Sequence, residues 1–201
     1  MSENFHDGQR ELQDRFDTRR LADHGVAKLV RDFVNPKQKA FIESADMFFL
    51  ATADAQGRPA CSYKGGEPGF VRVVDERTLA IPNYDGDGKY LSWGNALKNP
   101  NVALLFMEFQ KGWRLRICGE ASIVNDDPLL PQYMEAQFIV RVHVRQVFGN
   151  CPRYIHKYQL VERSVYTPKA GQPTPIPDWK KQPDWNAVLS PNDPARQRNG
   201  E

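Results

Sequence analysis

Long apolar runs and closely spaced cysteines are both missing from this sequence. No run of about 18 apolar residues occurs, so the pattern of a membrane-spanning helix is absent. The three cysteines, Cys61, Cys118 and Cys151, are too few and too widely spaced for a disulfide framework or a metal-binding motif. The sequence therefore predicts reduced thiols and no metal site.

A strong charge of either sign is also lacking. The 27 Lys and Arg residues nearly balance the 25 Asp and Glu residues, and the formal net charge is +2. That balance argues against nucleic acid or an anionic membrane as a partner. The first residues, MSENFHDGQRELQDRF, have no apolar core of the kind that a signal peptide needs. We therefore expect a cytoplasmic protein.

Familiar catalytic motifs are absent as well. The sequence has no Gly-x-Gly-x-x-Gly after a strand, no phosphate-binding Walker loop and no Gly-x-Ser-x-Gly turn. Its four histidines have no metal-ligand spacing. The residues by themselves identify no general acid or base, and the catalytic residues stay unassigned.

Three zones of different composition divide the chain. Residues 1–45 have helical spacing of apolar residues, with Asn35 as a helix cap before Pro36. Residues 46–165 are rich in strand signals. Residues 166–201 hold seven of the 15 prolines. This last zone predicts an extended tail that either docks on a surface through its two tryptophans or stays disordered.

The middle zone predicts hairpins. Apolar stretches flanking turn residues give three hairpins and a further alternating strand, over residues 47–52 with 61–64, 70–74 with 78–81, 101–109 with 113–124, and 138–147. Helices are predicted over 88–98 and 151–158. Six or seven hairpin-connected strands with few crossovers indicate a mainly β (α+β) protein built on an antiparallel barrel or sandwich.

Basic residues at strand ends are the first candidates for a binding site. Alternation places Ser62 and Lys64 on one face of a strand, unless they form only a basic strand edge. Lys89 follows a glycine-containing loop at the start of the predicted helix, where backbone N–H groups favour anions. Asp85 and Asp87 in the same loop would repel a phosphate, so a flexible acidic loop is the alternative.

Two further segments carry possible chemistry. Arg114 and Arg116 share one strand face and predict either an anionic ligand or an ion pair with Glu108. Cys151 precedes Pro152 at the start of a predicted helix, where a thiolate would be favoured, although a packed structural cysteine is the plainer interpretation.

The order of several short motifs resembles the pyridoxamine 5′-phosphate oxidase-related family of FMN-binding split-barrel proteins. The resemblance covers about Asp46 to Tyr158, and the stretch Leu12–Thr18 resembles the opening of one subgroup. The matching motifs are Ser62-x-Lys64-Gly65, Pro68-Gly69-Phe70-Val71-Arg72-Val73, Gly86-x-x-Lys89, Asn95, Asn99-Pro100-x-Val102-x-Leu104-Leu105-Phe106, Arg114-x-Arg116-x-x-Gly119 and Cys151-Pro152-Arg153.

The resemblance implies an antiparallel split β-barrel with flanking helices that forms a homodimer, with FMN at the subunit interface. Lys89 matches a phosphate-binding residue, whereas Gly88 stands where the oxidases usually have a second basic residue. Cys151, Pro152 and Arg153 match a segment that tends to reach the site from the other subunit. The implied cofactor-binding residues are Ser62, Tyr63, Lys64, Gly65, Pro82, Asn83, Gly88, Lys89, Asn95, Arg114, Cys151, Pro152 and Arg153.

The implied function is that of an FMN-dependent oxidoreductase acting on a small molecule. The C-terminal Arg-x-x-x-x-Arg-Leu-type substrate segment of the oxidases is missing, so the substrate is not identified. Alternatives are a flavin or haem carrier or sensor without turnover, a deazaflavin-dependent reductase, and an unliganded structural dimer.

Overall fold

The computed structural model describes residues 5–197 and divides the chain into two compact units. The first ends at Gln159 and the second begins at Leu160. No helix among the described residues is both long and apolar enough to cross a membrane. The last four residues of the proline-rich zone, 198–201, lie outside the described part of the chain.

Three helices precede the strands, within the zone that the apolar spacing predicts to be helical. They are α1 (Asp7–Arg15), α2 (Arg19–Leu29) and α3 (Pro36–Ser44). Arg10 on α1 lies 2.8 Å from Asp23 on α2, so an ion pair joins the first two helices. The predicted cap of α3 is confirmed, since the Asn35 side chain accepts a hydrogen bond from the Gln38 backbone N–H.

Seven strands form one antiparallel sheet, which confirms the predicted hairpins. The sheet order is β2-β1-β5-β6-β7-β4-β3. The strands are β1 (Met47–Ala53), β2 (Pro59–Gly65), β3 (Arg72–Asp75), β4 (Thr78–Tyr84), β5 (Asn101–Glu108), β6 (Trp113–Val124) and β7 (Ala136–Gly149). Alternate residues of β1 and β5 are buried in the core and the residues between them face outward, because strand side chains alternate in direction.

One hydrophobic core joins the two ends of this sheet. Phe48 of β1 stacks on Phe70, just before β3, with ring centroids 5.9 Å apart. The same core contains Leu79 and Ile81 of β4, so strands from both ends of the sheet surround it. The sheet therefore curls into a barrel that is split between its edge strands β2 and β3. This confirms the split-barrel expectation.

Two connections cover the ends of the barrel. Helix α4 (Leu91–Lys98) lies between β4 and β5 and buries Trp93 and Ala96 in the core. Between β6 and β7, the chain makes a short 3₁₀ turn (Leu130–Gln132), and Tyr133 packs in a small second core with Ala80 and Ile139.

One helix prediction is wrong at its start, and a second is wrong altogether. The helix expected over 88–98 begins only at Leu91, because Gly88 and Tyr90 adopt left-handed backbone angles (φ 73° and 47°) that interrupt a right-handed helix. The helix expected over 151–158 is absent, and Tyr154 there also has a positive φ of 69°. The Pro152 signal does not start a helix in this context.

The second unit is more ordered than an extended tail. It contains α5 (Asp178–Lys181), α6 (Pro183–Val188) and α7 (Pro194–Gln197). Trp179 and Trp185 contact each other edge to face with centroids 5.6 Å apart. Lys180 is buried and lies 2.7 Å from Asp193. Contacts within the unit thus engage both tryptophans.

Candidate functional site

Ser62 and Lys64 lie on the core-facing side of the edge strand β2, as strand alternation predicts. Both side chains are half-buried beneath the first turn of α4. The Ser62 and Ser92 hydroxyls share a hydrogen bond of 2.9 Å, and the Lys64 ammonium lies 5.5 Å from the centre of the Trp93 ring. Helix α4 therefore holds both residues at the split in the barrel.

The Lys64 ammonium is partly removed from water. Burial lowers the pKa of Lys64, and the negative charge of Asp87 acts in the opposite direction. The indole ring beside it offsets part of the lost hydration through a cation–π contact. An anionic ligand at this position would stabilise the charged lysine further.

A chain of hydrogen bonds continues from α4 across the end of β4. The Trp93 indole N–H donates to the Asn83 side-chain oxygen at 2.8 Å, and the Asn83 amide donates to Gln137 at 2.8 Å. The Tyr90 hydroxyl also donates to Gln137, at 3.0 Å. This network joins α4, β4 and β7, and it fixes Asn83 within the group that contains Lys64.

The loop before α4 carries Lys89, the predicted phosphate ligand. Its ammonium lies 2.7 Å from Asp87, and both side chains are exposed. The other oxygen of the Asp87 carboxylate accepts the Lys89 backbone N–H at 3.0 Å. These contacts lower the pKa of Asp87, chiefly through the hydrogen bond from the Lys89 side chain. The loop is therefore a compact acid–base turn.

The remaining predicted residues of this group occupy different positions. Asn95 on α4 donates to the Thr52 hydroxyl at 3.2 Å, and Pro82 is buried in β4. Gly88 has open space around it, since a Cβ atom added there would meet no atom of the described residues within 4 Å. Tyr63 faces away from Lys64, is 61% exposed and meets the Phe49 ring edge to face. A Cβ atom added at Gly65 would lie 2.8 Å from the Tyr63 ring, so a side chain there would displace that ring.

The residues around Ser62, Lys64, Asn83 and Lys89 form a first group of site residues. Arg114 belongs to a second group, together with the segment after β7. Its guanidinium donates to the Cys151 carbonyl at 3.1 Å, and its Nε atom is buried without a hydrogen-bond partner among the described residues. Pro152 lies near the turn between β5 and β6, where a Cβ atom added at Gly112 would be 4.0 Å from it. The structure therefore places Arg114 with residues 151–153.

Cys151 is exposed and is not the packed cysteine that the sequence favoured. The Arg153 guanidinium donates to its sulfur at 3.4 Å. The pKa of Cys151 is lowered, first by a hydrogen bond from the Arg153 backbone and then by its side chain. A helix N-terminus is not the cause.

The ion pair with Glu108, one of the two alternatives for the strand arginines, does not form. Glu108 lies 3.8 Å from Lys111 and accepts the Gln110 backbone N–H instead. The Arg116 guanidinium lies over the Phe148 ring at 5.6 Å. Since β5 and β6 pair with Glu108 opposite Trp113, the arginines stand further along the strand.

Several residues of the first group escaped the sequence analysis. Ser92, Trp93 and Gln137 hold Ser62 and Asn83 in place, yet no local motif distinguishes them. Only Trp93 could have been recognised from the sequence. It lies one turn beyond the glycine loop, and an apolar residue at the start of a helix often packs against the core.

Similarity to known proteins is found among solved structures and among protein families, whereas no curated protein matches the chain. Solved structures with a similar fold include HupZ of Group A Streptococcus, with 18% identity, a TM-score of 0.47 and coverage of 63% of this chain and 99% of that chain. The haem storage protein HutZ of Vibrio cholerae has 22% identity and a TM-score of 0.42, covering 57% of this chain and 93% of that chain.

An FMN-binding protein of Syntrophomonas wolfei has 9% identity and a TM-score of 0.44, covering 70% of this chain and 97% of that chain. These values are too low to carry an argument about function. A family model described as pyridoxamine 5′-phosphate oxidase matches residues 34–165, which include all seven strands and both groups of predicted site residues. The chain belongs to the pyridoxamine 5′-phosphate oxidase family.

Proposed function

We propose that this chain binds FMN and acts as an FMN-dependent oxidoreductase on a small molecule. The observation that carries the proposal is the gathering of Ser62, Lys64, Asn83 and Lys89 at the split of the barrel around the start of α4. These residues come from strands and a loop far apart in sequence, and the family resemblance singles out the same positions.

The donor chemistry of the site fits a flavin mononucleotide. Lys64 is a partly buried cation whose pKa burial lowers, so an anionic ligand would offset its lost hydration. Lys89 and the Ser62 hydroxyl can donate hydrogen bonds to phosphate or ribityl oxygens. The Nε atom of Arg114, which is buried without a hydrogen-bond partner among the described residues, is a further donor in the second group.

The residues of the chain would bind and orient this cofactor. Bound FMN supplies the hydride or electron transfer at its isoalloxazine ring. Trp93 and Ser92 keep Lys64 and Ser62 in place, so the ammonium would contribute positive charge to the site without moving. The hydrogen bonds through Asn83 and Gln137 keep the strand end rigid.

A homodimer would bring the two groups of site residues together. The outward face of β1 and β5 carries Phe49, Ala51, Ala103 and Leu105, beside the exposed Tyr63 on β2. A solvent-facing sheet surface normally alternates to polar residues, so this apolar face favours a protein partner. We propose that a second copy covers it and contributes Arg114 and residues 151–153 to the site.

An absorbance spectrum of the purified full chain, with FMN titrated in if the protein is colourless, tests the cofactor. Flavin bands that persist through gel filtration support the proposal. A Soret band would identify the bound cofactor as haem, and a deazaflavin spectrum would identify it as a deazaflavin. Absence of any band and of FMN binding would contradict the proposal. Reoxidation of the reduced cofactor by candidate substrates then separates an enzyme from a carrier.

Light scattering coupled to gel filtration tests the dimer. We expect the Ala51→Arg variant to be monomeric, because it places a charge in the proposed interface. Val74→Arg is the matched control, since Val74 is an exposed apolar strand residue on β3. A wild-type monomer, or a dimer that Ala51→Arg leaves intact, would reject this surface as the interface.

A further inference from the structure

Asp87 satisfies the two donors of Lys89 that a phosphate group would use. One carboxylate oxygen accepts the Lys89 ammonium at 2.7 Å. The other accepts the Lys89 backbone N–H at 3.0 Å. A carboxylate that takes both a lysine ammonium and an adjacent backbone N–H makes the same kinds of contact as a bound phosphate.

The local backbone is shaped for this contact. Gly88, between the two residues, has a φ of 73°, which L-residues with side chains rarely adopt. That conformation lets the Asp87 side chain fold back onto the N–H two residues ahead, as in an Asx turn. Both contacts of the Asp87 carboxylate are therefore made within three consecutive residues.

The balance of charge at the site points the same way. Lys64 and Lys89 are the two cations of the first group, and Asp85 and Asp87 stand in the same loop. The charge of Asp87 also acts on Lys64. A phosphate dianion entering this group would have to displace Asp87 from Lys89, and it would be repelled by the carboxylates.

We propose that Asp87 is a specificity-determining residue that competes internally with the phosphate of the cofactor, so that this site recognises the flavin with little dependence on its phosphate. The inference rests on the proposed flavin binding and adds the class of ligand: flavins with and without a terminal phosphate bind with similar affinity. Asp87 acts through Lys89, the lysine that was predicted to bind the phosphate.

The test compares the dissociation constants of FMN and riboflavin for the full-length wild-type protein and for Asp87→Asn. Asparagine keeps the shape and the oxygen acceptor for the Lys89 backbone N–H while it removes the charge. The matched control is Asp178→Asn, because Asp178 forms an equally short exposed pair with Lys181, 2.7 Å, in the other unit. Flavin fluorescence quenching at low and moderate salt measures both ligands.

We expect the wild type to prefer FMN over riboflavin by less than about tenfold, below what a charge-assisted phosphate contact would give. Asp87→Asn should tighten FMN binding about three- to fivefold, leave riboflavin binding unchanged and make FMN binding more sensitive to salt. Lys89→Ala in the Asp87→Asn background should remove that gain. Asp178→Asn should change neither constant.

The two proposals fail in different ways. A preference for FMN of about a hundredfold in the wild type, or an Asp87→Asn effect that is absent or equal for both flavins, overturns the role of Asp87 and leaves flavin binding intact. If neither flavin binds to any variant, the proposed function itself is overturned, and the inference is overturned with it.

Discussion

Two acid–base pairs of similar length involve loops of this barrel: Asp127 is bound to strand β7, whereas Asp87 and Lys89 lie within one loop. Arg141 on β7 holds Asp127 through two hydrogen bonds of 2.6 and 3.0 Å, and the Asp127 side chain is 1% exposed. Lys89 and Asp87 lie 2.7 Å apart with both side chains more than half exposed. Distance alone does not tell them apart, whereas burial does.

Burial decides what each pair can do. The Asp127 carboxylate also accepts the Leu129 backbone N–H at 2.8 Å, so it anchors the loop that places Tyr133 in the second core. Removing one partner there leaves a shielded charge without compensation. Water can replace either partner of the Asp87–Lys89 pair, and so can a ligand. The first pair serves the fold, and the second is available to exchange partners.

The largest effect on stability is expected when the buried pair is broken. Asp127→Asn should lower the free energy of unfolding by about 2–3 kcal/mol, because Arg141 loses a charged, doubly hydrogen-bonded partner in a shielded position. Urea denaturation at pH 7 measures the change. Asp126→Asn, at the exposed neighbouring position, is the control. If Asp127→Asn loses no more stability than the control, the Asp127–Arg141 pair does not stabilise the barrel.

Acid should abolish the same contribution gradually. The hydrogen bonds from Arg141 lower the pKa of Asp127, so the folded state binds this proton more weakly than the unfolded state does. The stability that Asp127 provides is therefore complete above its unfolded pKa of about 3.9 and is lost as the pH falls through the folded value. Unfolding curves of wild type and Asp127→Asn should converge towards pH 3. A constant gap across this range would contradict the assignment.

A smaller effect of opposite sign is expected at Lys64. Burial lowers its pKa, so the charged lysine costs the folded state stability at every pH below that folded value, and the cost disappears as the pH rises towards the unfolded value. Lys64→Met should raise the free energy of unfolding at pH 7 by only about 0.5 kcal/mol, because solvent screens the partly exposed ammonium. It should also weaken FMN binding.

Lys37→Met, on the exposed face of α3, is the matched control for Lys64. Thermal unfolding and FMN titration of both variants give the two readouts. A destabilised Lys64→Met variant would mean that the cation–π contact with Trp93 outweighs the lost hydration. The pair of measurements therefore shows whether Lys64 is present for the fold or for a ligand.

The smallest effect on stability is expected at the exposed pair. Asp87→Asn should leave the midpoint of thermal unfolding unchanged within error, because solvent replaces the lost ion pair. Differential scanning calorimetry of the unliganded protein checks this. A clear drop in the midpoint would show that the loop pair supports the fold as the Asp127–Arg141 pair does, and the contrast between the two would disappear.

The strands of this protein could be predicted from sequence because their signals are local. Turn residues such as Gln56-Gly57 and Lys111-Gly112 stand between apolar stretches whose alternation survives in the structure. The faces of Ser62 and Lys64 followed from the same alternation. By contrast, the start of α4 depends on the left-handed backbone conformation of Tyr90, which could not be predicted because tyrosine rarely adopts a positive φ.

The partners of the site residues could not be predicted, because they come from distant parts of the chain. Ser92 meets Ser62 and Gln137 meets Asn83 only after the barrel has closed. The segment after β7 shows the same limit. Pro152 is a valid helix-start signal, but Tyr158 packs against Phe109, and Arg114 takes the Cys151 carbonyl, so tertiary contacts keep the segment extended.

The order of strands in the sheet has a consequence for how the chain folds. Strand β1 pairs with β5, and strand β4 pairs with β7, although each pair is far apart in sequence. The two pairings overlap along the chain, because β4 lies between β1 and β5 and β5 lies between β4 and β7. The three hairpins can form early because their strands are close in sequence. Joining one hairpin to another in the sheet, however, requires the closure of a long loop. We therefore expect that neither half of the barrel folds alone, that the first unit folds slowly, and that it unfolds in a single cooperative step.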